Sequence, residues 1–357
     1  MRIDALSIHP IRIPRKQIFE IAMGKSSHVE QVIVSVLGEG LEGWGAGSAN
    51  SVTGEGLQDM IEAVERGFDS ISGKDSDPRG FDRVLEEQMR GHPAAMCAIS
   101  LALWDLAGKV EGKGIAEILG LAKTEMLSDM SIGLCSLDET VLRAGEAVAQ
   151  GFRALKVKVG GQPLWDARRV AAVRKAHPDI ALWVDGNRGY SKAELGRFVK
   201  GIRGLDVTFI EEPCATLQEA RSIRKQVRLM ADESATDSSA IATIIKKKSA
   251  DMINIKLMKC GTLSDAILSS EIMENHNVKG MIGCMGETSL SMAGALAVAL
   301  ASRSIVLSDL DSSFMLKEDI CTGLRFEEGF YKYTGLPGLG VQVDQKKVLE
   351  YEVELRA

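Results

Sequence analysis

The chain has 357 residues, 45% of them hydrophobic and 26% charged, with a formal net charge of −6. That length exceeds the about 250 residues of a lone β/α barrel and leaves about one hundred for a second module. The acidic balance gives no global attraction to nucleic acid or an anionic membrane, and no apolar run approaches the roughly 20 residues that span a bilayer.

Residues 1–50 alternate apolar and polar positions through Ile3, Leu6, Ile8, Ile11 and Ile13, then Val32 to Leu37 before the turn Gly38-Glu39-Gly40. This predicts a meander of antiparallel strands. Between them, the polar and small residues 19–28 predict a mobile loop. Thr53-Gly54-Glu55 resembles a helix start, followed by Leu57, Met60, Ile61, Val64 and Phe68 at helical spacing. Residues 95–110 form a strongly apolar helix that stops at Gly112. Strands followed by helices indicate an α+β cap.

From residue 131 a different rhythm begins. Polar or charged residues recur every 21 to 28 positions, each where a short apolar run ends. The series is Ser131, Lys156 with Lys158, Asp185, Glu211, Asp232, Lys256, Cys284, then Asp309 with Asp311. Such a spacing fits one strand, one helix and two connections, so it predicts a parallel β/α barrel. Active sites of these barrels lie at the C-terminal strand ends, where this series converges. After Asp311 the rhythm fades, and residues 348–355 alternate again, which predicts a return of the tail to the cap. The expected divisions are 1–115 (cap), 116–320 (barrel) and 321–357 (C-terminal segment).

Lys156 and Lys158 share one face of a strand. Its apolar residues face the helices, so both ammonium groups point into the barrel. Asp185, Glu211 and Asp232 end three consecutive strands, and three clustered carboxylates need a cation between them. Oxygen-only ligands favour Mg²⁺ over zinc. Glu212 and Glu233 point away from the cluster and are expected to support it. Lys256 ends the sixth strand, nearly opposite Lys158 on the second. Two opposed bases suit removal of a carbon-bound proton from one face and its return from the other, with the metal stabilising an enediolate. Asp309 and Asp311 share a face at the end of the last strand and form an anionic clamp suited to an ammonium group.

Lys156-Val157-Lys158, Asp185-Gly186-Asn187, Glu211-Glu212-Pro213, Asp232-Glu233-Ser234 and the run from Asn254 to Gly261 together resemble the enolase superfamily, within it the muconate lactonizing enzyme subgroup. The likeness covers almost the whole chain. It implies a modified (β/α)8 barrel of the (β/α)7β type with an α+β capping domain. By that resemblance Asp185, Glu211 and Asp232 hold one Mg²⁺ per subunit, and Lys158 and Lys256 are the acid/base pair. Lys156 is expected against the substrate carboxylate, lowering the pKa of Lys158.

The subgroup includes racemases, epimerases, cycloisomerases and dehydratases. Asp309-Leu310-Asp311 resembles the dipeptide epimerases, in which such a pair holds the substrate's free amino group. The implied reaction is 1,1-proton transfer at the α-carbon of the C-terminal residue of an Ala-X dipeptide. Ser131, Cys284 and Gly286 would line the substrate. Epimerases of alanyl-glutamate are expected to carry an arginine near residue 24. Gly24 stands there, with Lys25 the nearest cation, which argues for a C-terminal residue other than glutamate. The alternatives are an N-acylamino-acid racemase or cycloisomerase of the same subgroup and, from another class, a Schiff-base aldolase using Lys156, Lys158 or Lys256.

Six scattered cysteines without a CxxC pair and an N-terminus without an apolar signal core predict a cytoplasmic enzyme. The expected partner is a small dipeptide, with no nucleic acid and no membrane. Superfamily barrels often assemble, which makes a homo-oligomer a further expectation.

Overall fold

The computed structural model describes residues 1–354. The chain opens with an antiparallel sheet of β1 (Ala5–Ile21), β2 (Gly24–Gly38) and β3 (Leu41–Ser48). β2 is central, and its run from Val32 to Val36, β-branched except at Ser35, is buried throughout. Residues 19–28, expected as a loop, are instead the paired tip of the β1–β2 hairpin. Phe19 pairs with Ser26, Glu20 with Lys25 and Ile21 with Gly24. Phe19 and Ile21, with their pair partners Ser26 and Gly24, line a cavity. The alternation is real, but its inner face meets a cavity and not a core, so it does not read as a strand.

Three helices follow: α1 (Leu57–Ile71), α2 (Pro78–Gln88) and α3 (Pro93–Glu111). The start expected at Thr53 falls later, because Gly56 is the N-cap and its N–H donates to Asp59. Glu55 is used elsewhere. Its carboxylate accepts the N–H groups of Ala94 and Ala95 at 2.9 and 3.1 Å, satisfying the open first turn of α3.

α3 has the length and apolarity of a membrane span, contrary to the expectation from sequence, and most of it is buried inside the protein. Its close seat on β3 depends on Gly43, Gly45 and Gly47, which share one face of the strand. A Cβ at these positions would lie 2.1 to 2.2 Å from the carbonyl oxygens of Ala102, Ala98 and Ala94, one stripe of the helix.

Eight parallel strands then form in chain order. They are β4 (Met130–Ile132), β5 (Ala154–Lys158), β6 (Ala181–Asp185) and β7 (Phe209–Glu211). β8 (Arg228–Ala231), β9 (Met252–Lys256), β10 (Lys279–Gly283) and β11 (Ile305–Asp309) complete the set. Each pairs with the next, and a bridge from Ser128 to Ser308 links the two ends. α4 (Leu137–Ala149), α5 (Pro163–Ala176), α6 (Lys192–Gly201) and α7 (Leu217–Ala220) follow the first four strands. α8 (Ser238–Lys247), α9 (Leu263–Asn275) and α10 (Ser289–Ala301) follow the next three. Among the described residues the last strand is followed by no such barrel helix, which gives the (β/α)7β order.

Alternation along the strands divides the core in two. Ala154, Trp183, Phe209, Met230, Met252 and Met281 pack together inside the barrel. Leu155, Val157, Leu182, Val184, Ile210 and Ile253 belong to the outer core beneath the helices. The interior is therefore filled with apolar side chains below its mouth, and the polar strand ends sit above that floor.

The tail also differs from expectation. Residues 345–350 form α11 (Gln345–Glu350), because Asp344 accepts the N–H groups of Lys346 and Lys347. The chain beyond it does reach the cap: the Arg12 N–H donates to the Tyr351 carbonyl, and the Val353 N–H to that of Pro10. Leu355 lies outside the described residues.

Candidate active site

Register sets the site. Lys158 is paired with Asp185, and Asp185 with Glu211, so three adjacent strands present these groups on one rung. Asp232 follows the end of β8 and Lys256 ends β9. Three strands separate β5 from β9 in either direction round the barrel, which places Lys158 and Lys256 opposite each other.

Asp185, Glu211 and Asp232 are buried, and each offers one carboxylate oxygen within 4.8 Å of the others. Lysines lean on all three. Lys158 Nζ lies 2.6 Å from Asp185 Oδ2, and Lys256 Nζ lies 2.7 Å from Asp232 Oδ2. Lys259 Nζ binds Asp232 Oδ1 at 2.6 Å. Asn254 Nδ2 donates to Glu211 Oε1 at 2.7 Å. Glu211 Oε2 accepts no hydrogen bond among the described residues, although the Lys156 ammonium lies 2.7 Å away.

The electrostatics follow from burial against these contacts. Burial pushes Glu211 up to about 8, Asp185 and Asp232 add to the rise, and Lys156 opposes it. For Asp232 burial is outweighed, first by Lys256 and then by Lys259, so its pKa stays well below the usual carboxylate range. A buried triad of carboxylates whose oxygens lie within 4.8 Å of one another fits a hard divalent cation such as Mg²⁺.

Supporting groups fix the triad's orientation. Asn187 donates to Asp185 through its backbone N–H at 3.0 Å and through Nδ2 at 3.2 Å, and Nδ2 also reaches Glu233. Glu212 accepts from Arg188 at 2.8 Å and from the Asp232 N–H at 2.8 Å. Glu233, expected to point away from the cluster, lines the same cavity as Asp232.

A cavity of about 400 Å³ lies over the barrel mouth, between the strand ends and the β1–β2 hairpin. Lys158, Lys256, Asp232, Ser131, Cys284, Gly286, Asp309, Asp311 and Gly24 all line it. Asp185, Glu211 and Lys156 sit below its wall. Lys156, expected against a substrate carboxylate, is fully buried, 2.7 Å from Asp309 and 3.2 Å from Asp185. Burial alone would lower its pKa, but Asp309, Glu211 and Asp185 hold it well above the ordinary lysine value. Its place makes it a fixed internal countercharge.

Asp311 Oδ2 accepts the Ser131 N–H at 2.6 Å, and Asp309 Oδ1 accepts the Ser131 hydroxyl at 3.3 Å. The clamp is asymmetric. Burial would raise Asp309, but Lys156 and then Lys158 hold it well below the usual range. Burial and then Asp309 push Asp311 up to about 6. Gly24 lies at the hairpin tip with φ near +147°, a conformation that L side chains rarely adopt. An arginine would not enter this backbone without rearrangement.

Four contributors escaped the sequence reasoning. Asp129 joins Asp309 and Asp311 in a buried group of acids. Its signal was available, two residues before Ser131 on the same face. Lys259 and Asn187 lie inside the motifs already noted but carried no role there. Arg15 lines the cavity from β1, and only the hairpin's path over the barrel brings it there.

Residues 139–347 match the Enolase C-terminal domain-like family, and residues 5–120 match the Mandelate racemase / muconate lactonizing enzyme, N-terminal domain. The chain is 31% identical to a hydrophobic dipeptide epimerase of Enterococcus faecalis, over 90% of this chain and 94% of that one. The structure resembles a dipeptide epimerase of Methylococcus capsulatus solved with Mg and the dipeptide L-Arg-D-Lys (TM-score 0.90, 32% identity, 96% and 99% covered). It also resembles the N-succinyl Arg/Lys racemase of Bacillus cereus (TM-score 0.93, 27% identity, 100% of both chains). Fold, register and sequence agree: this chain belongs to the mandelate racemase / muconate lactonizing enzyme family of the enolase superfamily.

Proposed function

We propose that the chain is a Mg²⁺-dependent dipeptide epimerase that moves one proton at the α-carbon of the substrate's C-terminal residue. One observation carries this reading. Lys158 and Lys256, from opposite strands, flank a cavity whose wall also holds Asp309 and Asp311. The aspartates bind the substrate amine and orient the peptide. One lysine then removes the α-proton, and the other returns a proton to the opposite face. Asp185, Glu211 and Asp232 would hold Mg²⁺. Bound Mg²⁺ supplies positive charge that stabilises the carboxylate as negative charge develops on it, and it competes with the lysines for Asp185 and Asp232.

Relatives with named activities include the hydrophobic dipeptide epimerase and an L-Lys-D/L-Arg epimerase of Methylococcus capsulatus, 33% identical. These support an isomerase acting on amino acid derivatives. Glycine at position 24, where an arginine would pair with a glutamate side chain, supports a C-terminal residue other than glutamate. The N-succinyl racemase supports a second reading, N-acylamino-acid racemisation, which has no need of an amine clamp. A Schiff-base aldolase is disfavoured because it leaves the carboxylate triad Asp185, Glu211 and Asp232 without a role. The six cysteines are unpaired and five are buried, in keeping with a cytoplasmic setting.

The test compares free and N-acetylated forms of the same dipeptides in heavy water with Mg²⁺. α-Proton exchange confined to the free amines supports the epimerase. Equal or faster exchange of the acetylated forms overturns it in favour of the racemase.

A further inference from the structure

Arg15 is a cationic cavity group that this chemistry leaves without a role. It lies where the β1–β2 register breaks between Pro14 and Phe19, and its backbone pairs instead with Leu316 beyond β11. A break of this kind re-aims a side chain. The guanidinium stacks over Phe19 at 5.5 Å. Its Nη2 lies so near Gly286 that a Cβ there would come within 2.8 Å. Gly286 follows Cys284, whose sulfur is 3.9 Å from Asp311, so Arg15 stands beside the amine clamp. It is nevertheless poorly partnered. Among the described residues Nε has no hydrogen-bond acceptor, and Nη1 reaches only the Met315 sulfur at 3.7 Å. Asp311 lies near enough to act on its charge but makes no direct ion pair.

A guanidinium held in place with unused donors is prepared for a planar anion, because its fork matches a carboxylate. The substrate's reacting carboxylate belongs at the triad, so this anion must be a second one. If Asp309 and Asp311 hold the α-amine, the side chain of the N-terminal residue begins one bond away and emerges beside Arg15. We infer that Arg15 selects a carboxylate on that side chain, so that the preferred substrates are dipeptides beginning with Asp or Glu. This rests on the dipeptide reading above and changes its expected N-terminal residue from alanine to an acid.

The experiment measures kcat/KM for heavy-water exchange at the C-terminal α-carbon in series that share that residue: Glu-X, its neutral isostere Gln-X, Ala-X and N-succinyl-X. Glu-X should exceed Gln-X by about ten- to a hundredfold, the scale of a charged hydrogen bond. The difference should appear mainly in KM. The Glu-to-Gln ratio should fall towards one in Arg15→Met and recover partly in Arg15→Lys. Equal rates for Glu-X and Gln-X in the unaltered enzyme overturn the inference, as does a ratio that survives Arg15→Met. N-succinyl-X outrunning Glu-X overturns it in favour of an acyl carboxylate. Exchange of Ala-X without any charge preference defeats this inference alone, whereas no exchange with any dipeptide defeats the epimerase reading as well.

Discussion

Asp311 is where pH acts most directly on substrate binding. Its carboxyl is pushed up to about 6 by burial and then by Asp309. An amine is held by the ionised form, so binding is present above that pKa and lost as pH falls through it. KM for a free-amine dipeptide should therefore rise below about pH 6, and Asp311→Asn should raise KM at neutral pH and remove the inflection. A KM that stays flat from about pH 5 to 8 would contradict this assignment. The lysines make a different forecast. Lys158→Ala and Lys256→Ala should each cut epimerisation by about 10²- to 10⁴-fold, the usual contribution of a positioned acid or base. Each variant should keep slow deuterium exchange with only one epimer, and the two variants should retain opposite ones. Loss of the same epimer from both would place the lysines on one face. These residues were legible because a barrel strand alternates between helix layer and interior whatever its neighbours are. Arg15 was not, since its role comes from a hairpin folding over residues far away in sequence.

At the scale of elements, the barrel strands could be found because each apolar run ends in a residue too polar to bury without a partner. The cap was read less well for two physical reasons. The hairpin tip alternates against a cavity, so its inward face mixes Phe19 and Ile21 with their small or polar partners Gly24 and Ser26. Glu55 shows the second, since a residue that looked like part of one helix start caps another helix instead. The seat of α3 on β3 gives a forecast of its own. Gly45→Val drives a side chain into the carbonyl of Ala98, 2.1 Å from the position of its Cβ. Overpacking of this sort costs about 1–3 kcal/mol or more, so thermal unfolding should shift clearly downward. A variant as stable as the parent would mean that β3 and α3 can separate cheaply.

For the whole molecule, the cap and barrel combine into one machine: the barrel supplies the triad, lysines and clamp, and the cap hairpin closes the cavity above them. Because the triad gathers three buried carboxylates, a bound cation should stabilise the fold as well as enable reaction. Mg²⁺ at about a hundredfold above its dissociation constant should add about 2.7 kcal/mol, seen as a higher unfolding midpoint than in chelator. Asp232→Asn should largely abolish that gain. An unfolding curve indifferent to Mg²⁺ would argue that the triad does not hold it. The central claim is proton transfer at one carbon of a dipeptide, and mass spectrometry of a dipeptide library in heavy water tests it most directly. The account predicts one deuterium per molecule at the C-terminal α-carbon, formed with inversion and suppressed by chelation. A library that gains no deuterium with Mg²⁺ present, or gains it equally after chelation, would contradict it.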